Sequence, residues 1–151
     1  MAQGRSAGLN ITQIMQKVER DLGDTQRLFL LGLVEDIVQS SPVDSGSYVN
    51  GHNVEVGVGS AGGQFSGNLK KNPTSSNPEG ERQQALGKLN GQIQNLPEQL
   101  GTISINNRVP HAYIVEYGGW GSKGPYGVYS GALSRANIHL QDALNIVKAR
   151  Q

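Results

Sequence analysis

The chain has 151 residues, enough for one domain with a real core, yet only 36% of them are apolar and 21 are glycine. Lysine and arginine total 13 against 12 acidic residues, a net charge of +1. With no basic cluster, this argues against a dedicated nucleic-acid grip and leaves only passive contact with DNA. Cysteine is absent, which excludes disulfides, thiolate metal sites and a cysteine nucleophile.

The first ten residues lack the apolar core of a signal peptide, and no apolar run approaches about 18 residues. The expectation is a chain made in the cytoplasm with no membrane partner, a flexible stretch over 1–10, and a single domain over 1–151. From 11 to 39 the apolar residues recur with helical spacing. Ile11, Ile14, Met15, Val18, Leu22, Phe29, Leu33 and Ile37 form one stripe roughly 100° wide. Asn10 or Thr12 is placed to cap a helix about 43 Å long. Its second half adds Leu30, Leu31, Val34 and Val38 off that stripe. Such a segment needs burial on more than one side, by a thick core or by a sheet and a second subunit.

The corner "SPVDSG" follows. Ser41, Pro42 and Asp44 have the form of a small capping box, with Gly46 ending a single turn. Val54, Val56 and Val58 alternate as in a half-buried strand. From 59 to 80 the composition falls to Gly, Ser, Asn, Pro and Gln, predicting an extended loop or arm. Leu86, Leu89, Ile93 and Leu96 mark a helix over 81–96, closed by Pro97. Ile103 and Ile105 mark a short strand, and "HAYIVEYG" reads as a further strand with Tyr113, Val115 and Tyr117 on one face. Leu133, Ala136, Leu140, Leu144 and Val147 predict a C-terminal helix with Ser130 as its cap. The fold class is α+β: a small antiparallel sheet of three to four strands, packed by a long N-terminal helix and a C-terminal helix.

Chemistry is sparse. Gly57–Gly62 matches G-x-G-x-x-G after a strand, but the sequence beyond it cannot form the helix on which a pyrophosphate would sit. His52, His111 and His139 show no metal-ligand spacing. A Ser45–His111–Asp44 triad lacks a nucleophile elbow. Glu116 with Glu55 would make a glycosidase-like pair, but two strand carboxylates are more often solvated or salt-bridged than catalytic. The chain is therefore read as non-enzymatic, with no cofactor and no metal. One binding alternative is a non-catalytic module for glycan or single-stranded nucleic acid, using Tyr113, Tyr117, Trp120 and Tyr126 as a stacking platform.

Four motifs in order carry a resemblance: Pro42-Val43-Asp44 with Gly46; Asn106-Asn107 with Pro110 and Ala112; Glu116-Tyr117-Gly118 with Trp120; and Pro125, Gly127 and Val128. Together, over about 11–145, they resemble the neck and tail-completion proteins of tailed bacteriophages, a family that includes minor tail and head-tail joining proteins. Ser45 stands where that family has threonine, and Ser47-Tyr48-Val49 where basic residues often follow the corner. His111 replaces an aromatic residue, and no arginine follows the Pro-x-Gly step.

The resemblance implies a structural virion protein that forms a homo-oligomeric ring, a hexamer in most members, at the head-proximal end of the tail. Its implied neighbours are the portal or connector-side neck proteins and the tail tube or tail terminator. Genomic DNA would pass through the lumen. The implied structural and interface residues are Pro42, Asp44, Gly46, Asn107, Pro110, Tyr113, Glu116, Tyr117, Gly118, Gly119, Trp120, Pro125 and Gly127. Asp44 is expected as a corner cap and Glu116 as an acceptor for backbone or interface hydrogen bonds. Gly118 and Gly119 are expected to supply turn geometry.

Overall fold

Asn10 opens the first helix, its side chain accepting a hydrogen bond from the Gln13 amide at 3.1 Å. Helix α1 runs Ile11–Ser40. It stops where Pro42 forces Ser41 into an extended conformation, ψ 130°. The computed structural model describes residues 8, 10–57, 74–98, 101–118 and 125–150. Of the expected arm, 59–73 lies outside these residues, as do Val58, most of the G-x-G-x-x-G motif, Gly119 and Trp120.

The predicted stripe divides along the length of α1: Phe29, Leu33 and Ile37 are partly or fully buried, but its first five members are not. Leu30, Val34, Ile37 and Val38 are buried, whereas Ile11, Ile14, Met15, Val18 and Leu22 are exposed. Helix geometry explains the difference. At 100° per residue Leu30, Val34 and Val38 lie about a quarter turn or more from the centre of the stripe, while Ile37 sits at its margin and belongs to both sets. Farther along α1, Gly23 faces the Glu98 carbonyl, which a Cβ there would approach to 3.2 Å. The Gln26 and Arg27 side chains then donate to the carbonyls of Gly101 and Leu96.

After α1, a 3₁₀ turn at Val49–Gly51 leads into strand β1, His52–Val56. Helix α2 runs Pro78–Gln94, with Asn77 capping the Gly80 amide, so the last residues of the expected loop are helical. Strand β2, Ile103–Asn107, pairs antiparallel with β1 in the register His52↔Asn107 to Val56↔Ile103. The Gln92 side chain of α2 finishes the outer edge of β1, accepting from the Val54 amide at 2.7 Å. One core cluster forms between α1, α2 and this ribbon, from Leu30, Val34, Val38, Val49, Val54, Ala85, Leu89 and Ile93. Val56 ends β1 in solvent.

The fold is α+β, but among the described residues its sheet has two strands rather than three or four. The missing strand is "HAYIVEYG". Residues 112–118 are helical and end in a wide π-type turn at Ile114–Gly118. A helical turn places Tyr113 and Tyr117 together on one side and Val115 on the other. The two tyrosines are exposed with ring centroids 4.8 Å apart, while Val115 is buried with Ile37, Tyr48, Val128 and Ala132 in a second cluster.

The C-terminal helix is two helices, α3 at Val128–Ser134 and α4 at Ala136–Ala149, with the junction at Arg135. Ser130 is the third residue of α3 and not its cap. The N-cap is Gly127, in a left-handed conformation, φ 56°. Helix α4 lies antiparallel on α1, with His139 against Asp36 and Arg150 towards Asp24. Gly32 allows the approach, since a Cβ there would lie 3.0 Å from His139 Nδ1. The second half of α1 is thus covered on one side by α2 and the sheet and on the other by α4 of the same chain.

Truncating a residue enclosed in the first cluster should be costly. Leu89→Ala is expected to lower unfolding free energy by about 2–5 kcal/mol in denaturant titrations. Ile14→Ala, on the uncovered end of α1, should change the stability of the isolated protomer by no more than about 0.5 kcal/mol.

Candidate functional site

The end of α1, the start of β1, the end of β2 and the start of α3 meet around one imidazole. His52 is 1% exposed and has partners on both ring nitrogens. Ser41 Oγ donates to the Ile37 carbonyl at 2.6 Å, so its proton is already committed. The 2.8 Å contact between Ser41 Oγ and His52 Nε2 therefore has the imidazole as donor. That fixes the proton on Nε2 and leaves Nδ1 as acceptor. Tyr129 supplies it with an O–H at 2.6 Å, and the Asn107 amide lies 3.3 Å away. Tyr48 packs edge-on against the same ring, with centroids 4.9 Å apart.

Burial pushes the His52 imidazole down to about 3, with the Lys88 charge a smaller cause, and the ring stays neutral across the physiological range. Burial also raises the phenols of Tyr48 and Tyr129, and the Glu116 carboxylate adds to both shifts.

This polarity is the reverse of a serine nucleophile. A catalytic imidazole must accept the serine proton, whereas His52 donates to Ser41. Ser41 is also 1% exposed. The sequence-level triad does not assemble either, because Ser45 Oγ pairs with Ser47 Oγ at 2.9 Å and Asp44 binds Thr74 and Ser75. Ser41 closes α1 and does not open a turn, which corrects the capping-box expectation. Residues 44–46 form bends, and the first turn after them is closed by the Asn50 amide on the Gly46 carbonyl at 3.0 Å.

Glu116 lies next to this hub. It is 8% exposed, and its two carboxylate oxygens accept the amides of Tyr129 at 3.0 Å and Ser130 at 2.9 Å. These are the free N–H groups of the first turn of α3. An anion at that position also meets the positive end of the helix. The same short segment returns Tyr126 N–H to the Val115 carbonyl at 3.0 Å. Glu55 is separately engaged, forming a two-pronged pair with Arg108 at 2.7 Å. Both acids of the glycosidase-like combination are therefore occupied by structural partners.

The other sequence-level residues divide between this junction and the surface. Asn107 donates to the Tyr48 carbonyl at 2.8 Å and accepts from the Val109 amide at 3.0 Å. Asp44 holds the returning chain through its carbonyl, which accepts from the Ser75 amide at 2.6 Å, and its side chain accepts from Thr74. Gly46 has φ 91°, and a Cβ there would lie 2.6 Å from the Glu81 carboxylate that binds Asn50. Pro42 is partly buried, and Pro110, Pro125 and Gly118 are exposed. Tyr113 and Tyr117 stand in solvent.

Sequence reasoning missed the partners of His52, namely Ser41 and Tyr129, which lie 11 and 77 positions away. It also missed a second polar cluster, in which Asp36 accepts two hydrogen bonds from Arg135 at 2.6 and 2.7 Å and one from His139 at 2.8 Å. The Arg135 hydrogen bond is the largest cause holding the Asp36 carboxyl down at about 2. No group of three or more metal-ligating residues occurs among the described residues. No described helix is long and apolar enough to cross a membrane.

No family model matches the chain, and neither a curated protein nor a solved structure shows significant similarity to it.

Two outcomes follow from the hub. His52 has a depressed folded value, so its contribution is present above pH 6.5 and lost as pH falls towards 3. Urea titrations should show stability dropping by about 2–3 kcal/mol between pH 6.5 and 4.5. His52→Gln should be less stable at pH 7 and lack that slope. Glu116→Ala should cost about 1–3 kcal/mol by leaving two part-buried amides of the first turn of α3 without their acceptor, with Glu116→Gln intermediate. Thermal melts at pH 7 rank the three proteins.

Proposed function

We propose that this chain is a structural protein of a tailed-bacteriophage virion, a non-enzymatic ring component of the neck that completes the tail and joins it to the head connector. Its partners on this reading are further copies of itself, the connector-side neck proteins and the tail tube or terminator. The hexamer is the ring size the sequence resemblance suggests.

The supporting observation is how the signature residues are used. Asn107 and Glu116 bond main-chain groups of their own fold, while Tyr113 and Tyr117, from the same signature, stand exposed. Polar groups that hold shape, beside large side chains left uncovered, suit an assembly part better than a reaction centre. A net charge of +1 suits a conduit that lets DNA slide, since affinity for phosphates comes from neutralising cations.

Light scattering and negative-stain electron microscopy of the purified full chain should give a closed ring, and the protein should be found in particles of the phage that encodes it. A protein that stays monomeric at every concentration and is missing from those particles overturns the reading.

A further inference from the structure

Two large apolar surfaces lie far apart on this chain. The first is the α1 stripe of Ile11, Ile14, Met15, Val18 and Leu22, whose residues are 43–63% exposed. The second is an aromatic ridge at the π-type turn: Tyr113 just before it, 72% exposed, Tyr117 within it, 65% exposed, and Tyr126, 43% exposed, whose amide binds the Val115 carbonyl of the turn. From the fractional exposures, each presents roughly 400–500 Å² of largely apolar surface, at the upper end of what a monomer leaves uncovered.

Their placement rules out mutual cover within one chain. The ridge belongs to the turn whose Val115 packs with Ile37, near the C-terminal end of α1. The stripe is centred some twenty residues earlier, about 30 Å along a straight helix. A free helical segment of twelve residues is also marginal in water without a packing partner.

We infer that the stripe of one copy docks against the aromatic ridge of the next, so that the two surfaces are the unlike halves of one head-to-tail interface. The inference rests on the ring reading above and names the contact that builds it. The match in size supports a second copy as occupant: roughly 400–500 Å² from each side brings the contact to about the 1,000 Å² at which specific association begins. Pairing unlike surfaces at opposite ends of a protomer leaves one of each free at every step, and such a series closes into a ring when its rotation permits. Pairing stripe with stripe would stop at a dimer and leave both ridges uncovered. The ridge also has the residue type enriched at the centre of interfaces, since tyrosine offers large contact area at low entropy cost.

The natural chain has no cysteine, which gives a clean background for cross-linking. Two full-length variants, Val18→Cys and Tyr117→Cys, both at exposed positions, are treated with a short bismaleimide. Circular dichroism first establishes that each is folded. Neither variant alone should cross-link to itself, and their mixture should give a covalent dimer. A chain carrying both substitutions should give a ladder of covalent oligomers on a denaturing gel. Light scattering of the natural chain is run in parallel. If the natural chain assembles but the mixture gives no dimer, or Val18→Cys cross-links with itself, this pairing is overturned and the ring reading survives. If the natural chain is strictly monomeric, the ring reading itself fails and this contact with it.

Discussion

An imidazole in an apolar interior is tolerated only when both of its nitrogens have partners, because an unpartnered polar group there costs kilocalories. His52 meets that condition with groups drawn from the end of α1, from β2 and from α3. Each partner is itself fixed: Ser41 by the Ile37 carbonyl, Asn107 by Tyr48 and Val109, and Tyr129 by the Glu116 carboxylate on its amide. The two-stranded ribbon is too short to be stable alone, and this network ties it to the helices at its His52–Asn107 end. At its other edge α2 performs the same service through Gln92. The polar hub and the apolar cluster around Val34 and Leu89 thus act on the same elements from two directions.

The sequence made the elements with strong periodicity legible. The long helix from 11, the helix over 81–96 and the strand around Ile103 and Ile105 are marked by their spacing, and each is present, with Asn10 rather than Thr12 as the first cap and the second helix at Pro78–Gln94. Orientation was harder to read. Both apolar sets on α1 call for cover, and the burial of Leu30, Val34 and Val38 shows that the less regular one enters the core, joined by Ile37 alone of the fully buried stripe residues. Periodicity reports that a face is apolar but is silent about what lies opposite it. The segment 111–118 failed for a related reason. Tyr113, Val115 and Tyr117 satisfy strand alternation, while Tyr113 and Tyr117 equally satisfy i,i+4. The choice was made by Glu116, whose carboxylate reaches the first turn of α3 from a helical turn.

For the candidate site, the individual residues were visible and their pairing was not. Glu116 stands out as a lone acid among aromatics and glycines, and of the two acceptor roles expected of it, backbone or interface, the backbone one is seen. His52 carried no local signal at all, because its partners are separated by long stretches of chain and the contact is created by folding. Asp36, Arg135 and His139 are hidden in the same way: Arg135 and His139 are one helical turn apart, but Asp36 lies about a hundred positions earlier.

Helix α1 is unbroken from Ile11 to Ser40, so the angular position of everything on its first turns is locked to the hub at its end. Each residue of a helix advances the chain by about 1.5 Å and turns it by about 100°. One residue gained or lost between Leu22 and Leu30 would therefore leave both ends locally intact and swing the Ile11–Leu22 edge by more than a quarter of a circle relative to the rest of the protomer. Helix length here works as a phase setting, and natural length variation along this stretch should come in steps of three, four or seven residues that return the edge close to its original azimuth.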